Sequence, residues 1–349
     1  MNIENLRSRA LDSGVSAKDA HAVLDWPNDD LQSLFAVTTE IRELHHGLSV
    51  DACAIVNAKS GRCSEDCGFC AQSARYDSDI DTYELLSSDE IVAAAKKAES
   101  QGARHFGIVT AQRGLRKQDL PKIAEAIRRV ADETTMVPGA SLGFVEPEDM
   151  EALKAAGLHC FNHNLETSRR NFESVVSTHL FEERVATVKA AKEAGLLACS
   201  GGIFGIGETD DDRIDLAMTL KELEPSTVPL NFLYPVPGTP MAEQADLTPE
   251  ICLKIIAMFR LVMPKVNLAV CGGREYNLQD RQEDLFKAGV SHLLVGHYLT
   301  TSGRDADDDK RLVAGQGLTI KGPQDQSAPH PATLPASDSH RQQNLPVMR

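Results

Sequence analysis

Three cysteines stand close together within residues 61–70. Cys63, Cys67 and Cys70 follow a C-x3-C-x2-C spacing. Cysteine thiolates are the usual ligands of iron–sulfur clusters, and three of them would leave one iron of a four-iron cluster open for chemistry. A structural zinc site would need a fourth ligand, and no neighbouring histidine or cysteine supplies one. The spacing therefore predicts an iron–sulfur cluster with an open iron position.

The same motif carries a family resemblance. With the aromatic Phe69 before its last cysteine, it resembles the signature of the radical S-adenosylmethionine (SAM) enzymes. The longer run over residues 63–76, CSEDCGFCAQSARY, resembles the biotin synthase family in particular. The resemblance implies a [4Fe–4S] cluster on the three cysteines, S-adenosyl-L-methionine as its partner, and conversion of dethiobiotin to biotin.

Composition excludes several other classes of protein. The chain has 349 residues, of which 42% are hydrophobic and 25% charged, and its net charge is −15. That charge argues against a nucleic-acid or anionic-membrane binder, and no apolar run is long enough for a transmembrane helix. The N-terminus lacks the apolar core of a signal peptide. Eight cysteines then indicate metal or redox chemistry in a reducing compartment, so we expect a cytoplasmic protein.

The rest of the chain contains the elements that would position the motif. From residue 51 onward, short apolar runs alternate with amphipathic segments, several of which stop at a glycine. This pattern predicts one (β/α)8 TIM-type barrel, with its active site at the C-terminal ends of the strands. Residues 61–70 follow the first strand, on that face. Strands are expected near residues 51–57, 104–110, 134–141, 158–164, 196–204, 227–234, 265–272 and 291–297, with helices over 87–101, 118–131, 147–156, 181–194 and 249–262.

Two further regions flank the predicted barrel at 51–304. Residues 1–50 are expected to form an N-terminal helical extension, with a cap at Ser16 and a break at Trp26 and Pro27. Residues 305–349 form a C-terminal extension, in which the βα pattern fails and a charge run occupies 305–309. From about residue 322 the composition, rich in Pro, Ser, Gln and His, predicts a disordered tail.

Polar residues alternate along the fourth predicted strand. Side chains two apart share a face of a barrel strand, so Cys160, Asn162, Asn164 and Glu166 should face the interior together, with His163 packed on the other side. Buried polar side chains need partners, which a ligand rich in amide or ribose groups would supply. In the family that this run resembles, the segment contacts S-adenosylmethionine and substrate.

The resemblance implies further ligand contacts. The glycine-rich run after Cys199 is not a phosphate-binding P-loop, because no Gly-Lys-Ser/Thr follows it. It resembles the G-x-I-x-G-x-x-E stretch of radical SAM enzymes, where backbone and apolar side chains such as Ile203 pack the adenine. Asn231 matches a substrate-facing asparagine. Arg184 matches a position that can pair with the cofactor's carboxylate, although lone arginines on helices usually lie at the surface.

One departure from the family concerns a second cluster. The resemblance implies a [2Fe–2S] cluster held inside the barrel by three cysteines and an arginine. Of those four positions only Cys199 is retained here, and Gly107, Gly139 and Ala269 occupy the others. A [2Fe–2S] cluster with that ligand set cannot form in this chain.

The chain nevertheless has other cysteines on the predicted strands. Four thiols on inward strand positions suffice for a different auxiliary iron–sulfur cluster. Each of them alone would suggest only a buried core residue. The four are Cys53, Cys160, Cys199 and Cys271, whereas Cys252 falls in a helix and is most simply a small buried side chain.

Two alternatives stay open at this point. A sister radical SAM enzyme, of the hydrogenase-maturation or methylornithine-forming type, would need no sulfur-donating cluster. Residues 162–166 and the run 272–275 favour biotin synthase over that reading. A metal-binding module without catalysis would bind zinc and leave S-adenosylmethionine intact. The family resemblance also implies a low-potential electron donor such as flavodoxin or ferredoxin, and a homodimer.

Overall fold

Helices form the N-terminal part of the chain, in a computed structural model that describes residues 2–322. They are α1 (Ile3–Asp12), α2 (Ala17–Leu24) and α3 (Leu31–His46). Ser16 and Asp19 form a capping box at the start of α2, and a short 3-10 turn follows Trp26 and Pro27. The apolar side chains of α3 that recur at helical spacing are buried. The predicted helical extension is confirmed.

A closed parallel barrel forms the centre of the molecule. Successive strands pair in chain order, and the first strand pairs with the ninth to close the sheet. The strands are β1 (Ser49–Lys59), β2 (His105–Thr110), β3 (Val137–Ser141), β4 (Cys160–Asn162), β5 (Leu197–Cys199), β6 (Gly202–Phe204), β7 (Thr227–Phe232), β8 (Asn267–Val270) and β9 (His292–Leu294). Both β5 and β6 pair with β7 and share one strand position, so the barrel has the eight positions of the predicted (β/α)8 fold.

Helices surround the barrel and cover its apolar outer face. The bounds of the five predicted helices lie within two residues of the observed ones, and the expected capping box of Ser87 and Glu90 is present. The helices are α4 (Ser88–Ser100), α5 (Leu120–Glu133), α6 (Pro147–Ala155), α7 (Arg169–Val175), α8 (Phe181–Glu193), α9 (Asp210–Leu223), α10 (Pro249–Val262), α11 (Arg274–Leu278) and α12 (Asp284–Ala288). Within residues 2–322, none has the length and apolarity needed to cross a membrane.

Two strand predictions were wrong in detail. The fifth predicted strand, 196–204, is interrupted at Ser200 and Gly201. A Cβ atom on Gly201 would lie 1.9 Å from the carbonyl oxygen of Pro229, so the two backbones approach closely only because this residue is glycine. The fourth strand ends at Asn162 instead of continuing to 164, and Glu166 has a φ of 70°. Asn164 and Glu166 therefore belong to a loop.

The prediction that the pattern fails beyond residue 300 was also wrong. Helix α13 (Ala306–Gly315) and strand β10 (Thr319–Ile320) follow, and β10 pairs with β1 at the N-terminal end of the barrel. The acidic run begins α13, where carboxylates favour the positive end of the helix dipole. Asp309 is fully buried against Arg274 of α11, at 2.6 Å. The predicted disordered tail lies outside the described residues.

Candidate active site

The barrel encloses a cavity of about 1020 Å³. At the C-terminal ends of the strands it is lined by Cys63, Cys67 and Cys70, together with Phe69. The interior cysteines on β1, β4 and β5 line the same cavity deeper in the barrel. One enclosed space therefore connects the two groups of thiols that the sequence singled out.

The loop that carries the three-cysteine motif is held by its own backbone. The amide of Cys70 donates to the carbonyl of Cys67 at 2.9 Å, which closes a turn around Gly68 and Phe69. Cys63 bonds on both sides, donating to Gln72 at 3.0 Å and accepting from Ala74 at 2.7 Å. These bonds hold the backbone of the loop in a defined turn before any ligand binds.

Two acidic residues within the motif anchor this loop to the segment between α7 and α8. Asp66 accepts hydrogen bonds from the amides of Ser177, at 2.9 Å, and Thr178, at 3.2 Å. Glu65 accepts from the Thr178 hydroxyl at 2.7 Å and contacts the ring of His179. Sequence reasoning missed both anchors, because their partners lie more than a hundred positions along the chain.

The motif thiols are protonated in the absence of a metal. Burial raises the pKa of Cys63, raises that of Cys67 strongly, and raises that of Cys70 to about 11. A bound cation reverses this balance, since it stabilises the thiolate and releases the proton. One buried and two half-buried thiols on a loop that faces the cavity fit a metal cluster held from one side.

Arg184 of α8 is a buried residue. Its Nη2 lies 4.0 Å from the sulfur of Cys67, and its Nη1 donates to the carbonyl of Asn164 at 2.9 Å. Nη1 also lies 3.3 Å from the carboxylate of Glu166, and Nε donates to Nε2 of His179 at 2.9 Å. Arg184 is therefore not a surface residue, as an arginine on a helix usually is. Its guanidinium joins α8 to both the cysteine loop and the loop after β4.

The polar residues from 160 to 166 all line the cavity, but strand alternation accounts for only the first two of them. Asn162, on β4 itself, has a side-chain oxygen with no partner among the described residues. Asn164 and Glu166 line the cavity from the following loop, and burial raises the pKa of Glu166. His163 is packed as expected, with its ring 5.1 Å from that of Phe144, although it also borders the cavity.

Asn231 and Ile203 lie side by side on neighbouring strands. Asn231 of β7 donates to the carbonyl of Gly202 at 3.2 Å and accepts from the amide of Gly272 at 3.0 Å. Ile203 of β6 is registered opposite Asn231, and its amide donates to the carbonyl of Glu166 at 2.8 Å. Both line the cavity, so the two predicted contact residues share one wall with the loop after β4.

All four interior cysteines predicted to converge line the cavity. Cys199 and Cys160 hydrogen bond to each other, which together with burial raises the pKa of Cys199. Burial likewise raises the pKa of Cys53, and raises that of Cys271 to about 12. The predicted contrast with Cys252 is also observed, since Cys252 is buried within α10 and does not line the cavity.

The arrangement of these thiols does not suit a single ion. Among the described residues, no three His, Cys, Asp or Glu side chains stand close enough together to ligate one metal ion. A cluster of several irons takes its ligands from more widely separated positions. Gly107, Gly139 and Ala269 line the same cavity and offer no donor side chain.

Comparison with known proteins identifies the family. The profile of the Radical SAM superfamily matches residues 58–220, and that of the Biotin and Thiamin Synthesis associated domain matches residues 229–319. The biotin synthase of Geobacter sulfurreducens (strain ATCC 51573 / DSM 12127 / PCA) is 44% identical over 320 residues, which cover 91% of this chain and 97% of that protein. This chain belongs to the biotin synthase family.

Other relatives agree with this assignment. The biotin synthase of Anaeromyxobacter sp. (strain K) is 47% identical over 296 residues, covering 84% of this chain and 82% of its own length. The resemblance inferred from residues 63–76 is confirmed.

Solved structures match the fold. Methylornithine synthase superposes with a TM-score of 0.79 at 19% identity, covering 91% of this chain and 98% of that one. A maturase of the [FeFe]-hydrogenase gives 0.78 at 17% identity, covering 91% and 74%. At these identities the likeness supports the barrel alone and does not favour a sister enzyme over a biotin synthase.

Proposed function

We propose that this chain is a radical SAM sulfurtransferase that converts dethiobiotin to biotin. The observation that carries the proposal is the convergence of Cys53, Cys160, Cys199 and Cys271 on the cavity that the three-cysteine loop also lines. A sulfur-inserting enzyme needs a radical-generating site and a sulfur donor within reach of one substrate. A sister enzyme without sulfur insertion would have no use for the interior thiols.

The first site is the loop at the C-terminal ends of the strands. Membership of the family implies a [4Fe–4S] cluster and S-adenosylmethionine, and Cys63, Cys67 and Cys70 would hold the cluster. When bound and reduced, that cluster supplies the electron that cleaves S-adenosylmethionine. Glu65 and Asp66 hold the loop in position from beneath, through the contacts to residues 177–179.

Side chains around this site would bind and orient the cofactor. The positive charge of Arg184, beside Cys67, suits a carboxylate in the same pocket. The unpartnered oxygen of Asn162 accepts a hydrogen bond from an amine or a hydroxyl. Ile203 offers an apolar surface for a purine, and Phe69 closes the cavity beside the cysteines. Glu166 and Asn164 complete the polar wall.

The second site is the group of interior thiols. Cys53, Cys160, Cys199 and Cys271 would hold an auxiliary iron–sulfur cluster whose ligand set differs from that of the usual [2Fe–2S] cluster. When bound, this group supplies the sulfide that the product gains. The protein keeps the site enclosed by barrel walls, which limits side reactions with water.

Dethiobiotin would lie between the two sites. Its cyclic urea offers one acceptor and two donors, which primary amides such as Asn162 and Asn231 complement. Asn231 is held by Gly202 and Gly272, so its orientation is set before substrate binds. The proposal also includes a low-potential electron donor such as flavodoxin or ferredoxin, a homodimer, and a cytoplasmic location.

An anaerobic assay tests the proposal. The reconstituted protein is incubated with dethiobiotin, S-adenosylmethionine and a reductant, and the products are measured by mass spectrometry. We expect biotin together with 5′-deoxyadenosine. Deoxyadenosine without biotin would favour the sister-enzyme alternative, and a zinc-containing protein that leaves S-adenosylmethionine intact would favour a non-catalytic metal-binding module.

A further inference from the structure

The cavity has a second end, at the N-terminal ends of the strands. There its wall is formed by residues that precede or begin the strands, including Leu44 at the end of α3, Arg104 before β2, Lys265 before β8 and Lys321 after β10. Leu44 and Lys265 are exposed to solvent. The cavity that the interior thiols line therefore reaches the surface at this end as well as at the side of the three-cysteine loop.

This second end, which we call the lower mouth and define by Arg104, Lys265, His292 and Lys321, carries an excess of positive charge. Asp51 is the one carboxylate among the described residues that line it. Arg104 lies 3.3 Å from Asp51, and Lys321 lies 3.0 Å from it. Lys265 has no carboxylate partner among the described residues. Three cations against one carboxylate make the lower mouth attractive to a small anion.

Two neutral histidines of α3 also line this end of the cavity. Burial, together with the nearby cations, lowers the pKa of His45 and lowers that of His46 to about 2, so both rings stay neutral. The ring of His46 already contacts Arg260, at 3.2 Å, and the backbone of Val266, whereas Nε2 of His45 is buried with no partner among the described residues.

A hydrogen-bond network fixes the tautomer of His292. The hydroxyl of Ser291 accepts from the amide of Leu268, at 3.0 Å, and donates to the side-chain oxygen of Asn267, at 2.7 Å. The amide nitrogen of Asn267 then faces Nδ1 of His292 at 3.0 Å and must donate to it. The proton of the neutral ring is therefore on Nε2.

That Nε2–H group has no partner among the described residues, although His292 is only 6% exposed. The ring lines the cavity on β9, where His292 is registered opposite Asp51 and Ala269. Cys53 follows Asp51 by two positions on the same inward face of β1. A buried donor without a partner, one layer below the interior thiols, indicates a position for an acceptor that the protein does not itself supply.

We propose that the lower mouth binds hydrosulfide, a small sulfur anion, and admits it to the auxiliary cluster that the interior thiols would hold, where it would bind iron and replace the lost sulfide without a change of oxidation state. This inference rests on the proposed function, because sulfur insertion consumes sulfide that must be replaced before the next turnover. Hydrosulfide arriving here would meet Lys265 first, then the Nε2–H of His292, and then Cys53. It would not have to pass the cofactor and the substrate at the upper end.

Replacement of sulfide after one turnover tests the inference. The holoenzyme completes a single turnover without free sulfide, then receives isotope-labelled sodium sulfide with S-adenosylmethionine still present, and the label retained by the protein is followed in time. Lys265→Glu is compared with Lys189→Glu, an exposed lysine of α8 that is far from the lower mouth. Both variants change the net charge equally.

We expect Lys265→Glu to take up the label on the order of tenfold more slowly than wild type at about 10 mM ionic strength, with the difference shrinking as salt is added. Lys189→Glu should match wild type. Equal rates for both variants would overturn the inference, because sulfide would then arrive from the upper end. A wild-type protein that forms no biotin in the first turnover would instead contradict the proposed function.

A second pair of variants tests the donor. His292→Gln keeps an N–H group in the cavity, whereas His292→Phe removes it at similar volume. We expect His292→Phe to slow the uptake of label several-fold and His292→Gln to stay closer to wild type, at equal melting temperatures. Equal uptake in the two variants would contradict a role for His292.

Discussion

The guanidinium of Arg184 lies 4.0 Å from the sulfur of Cys67. The same group donates to the carbonyl of Asn164, so one side chain of α8 joins the three-cysteine loop to the polar run after β4. It also contacts His179, which in turn contacts Glu65 of the three-cysteine loop, and Glu166 of the loop after β4. The proposed cluster site and the proposed cofactor site are thus mechanically linked through one buried cation.

Replacement of Arg184 should weaken cofactor binding. We expect Arg184→Gln to raise the Kd for S-adenosylmethionine about tenfold or more, because a charge-assisted hydrogen bond contributes about 1.5–3 kcal/mol. The iron content should stay at the wild-type level. Isothermal titration of the unreduced protein measures the affinity, with Arg169→Gln, an exposed arginine of α7, as the control. Unchanged affinity would remove Arg184 from the proposed site.

Replacement of the three motif cysteines should remove the iron of the first cluster and leave the auxiliary cluster in place. Changing Cys63, Cys67 and Cys70 together to alanine should remove the first cluster's iron and abolish cleavage of S-adenosylmethionine. The interior thiols line a separate part of the cavity, so we expect the auxiliary iron and sulfide to remain. Iron and labile-sulfide analysis after anaerobic reconstitution measures both quantities. Loss of all iron would show that the two sites do not assemble independently.

Replacement of an interior cysteine should instead remove auxiliary iron and leave the first cluster in place. We expect Cys53→Ala, Cys160→Ala and Cys271→Ala each to lower the auxiliary iron while cleavage of S-adenosylmethionine continues. Cys252→Ala is the control, because Cys252 is a buried cysteine that lies in α10 and does not line the cavity. If iron stays at one cluster's worth in wild type and does not fall in the variants, the auxiliary cluster is absent.

Prediction from sequence worked best where one periodicity dominated. The alternation of apolar runs with capped amphipathic segments predicted the barrel. The alternation of inward and outward side chains along β1, β4 and β5 predicted that Cys53, Cys160 and Cys199 share its interior. It failed where a tertiary contact overrides local pattern. Gly201 breaks the fifth strand because the backbone of Pro229 passes beside it.

Charge patterns were the least predictable part of the sequence. The run at 305–309 indicated only a charge run beyond the βα pattern, yet Asp309 is buried against Arg274 and helps to start α13. Arg184 likewise resembled a surface arginine by position alone. Asp309 lies 35 positions from its partner Arg274, and Arg184 lies 117 positions from Cys67. No local sequence pattern predicts contacts over such separations.

Asp212 should make the stability of the protein depend on pH. Burial alone would raise the pKa of this carboxyl group. Hydrogen bonds from Ser168, Thr209 and Arg170 outweigh that effect and lower the pKa to about 2. Because the folded-state pKa lies below the ordinary value of 3.8, the stabilisation is complete above that value and is lost as the pH falls through about 2.

We therefore expect Asp212→Asn to lower the free energy of unfolding by about 2 kcal/mol at neutral pH and by progressively less below pH 4. Asp211→Asn, an exposed neighbour on α9, is the control. Urea unfolding at several pH values measures the difference between the two variants. A difference that stays constant with pH would contradict the assigned pKa.

The origin of the sulfur atom in the product tests the central claim most directly. The protein is reconstituted with iron and a heavy sulfur isotope, freed of excess sulfide, and incubated with dethiobiotin, S-adenosylmethionine and a reductant. We predict biotin that carries the heavy isotope, and much less of it from Cys271→Ala than from Cys252→Ala. Deoxyadenosine without biotin, or biotin without the label, would contradict the account.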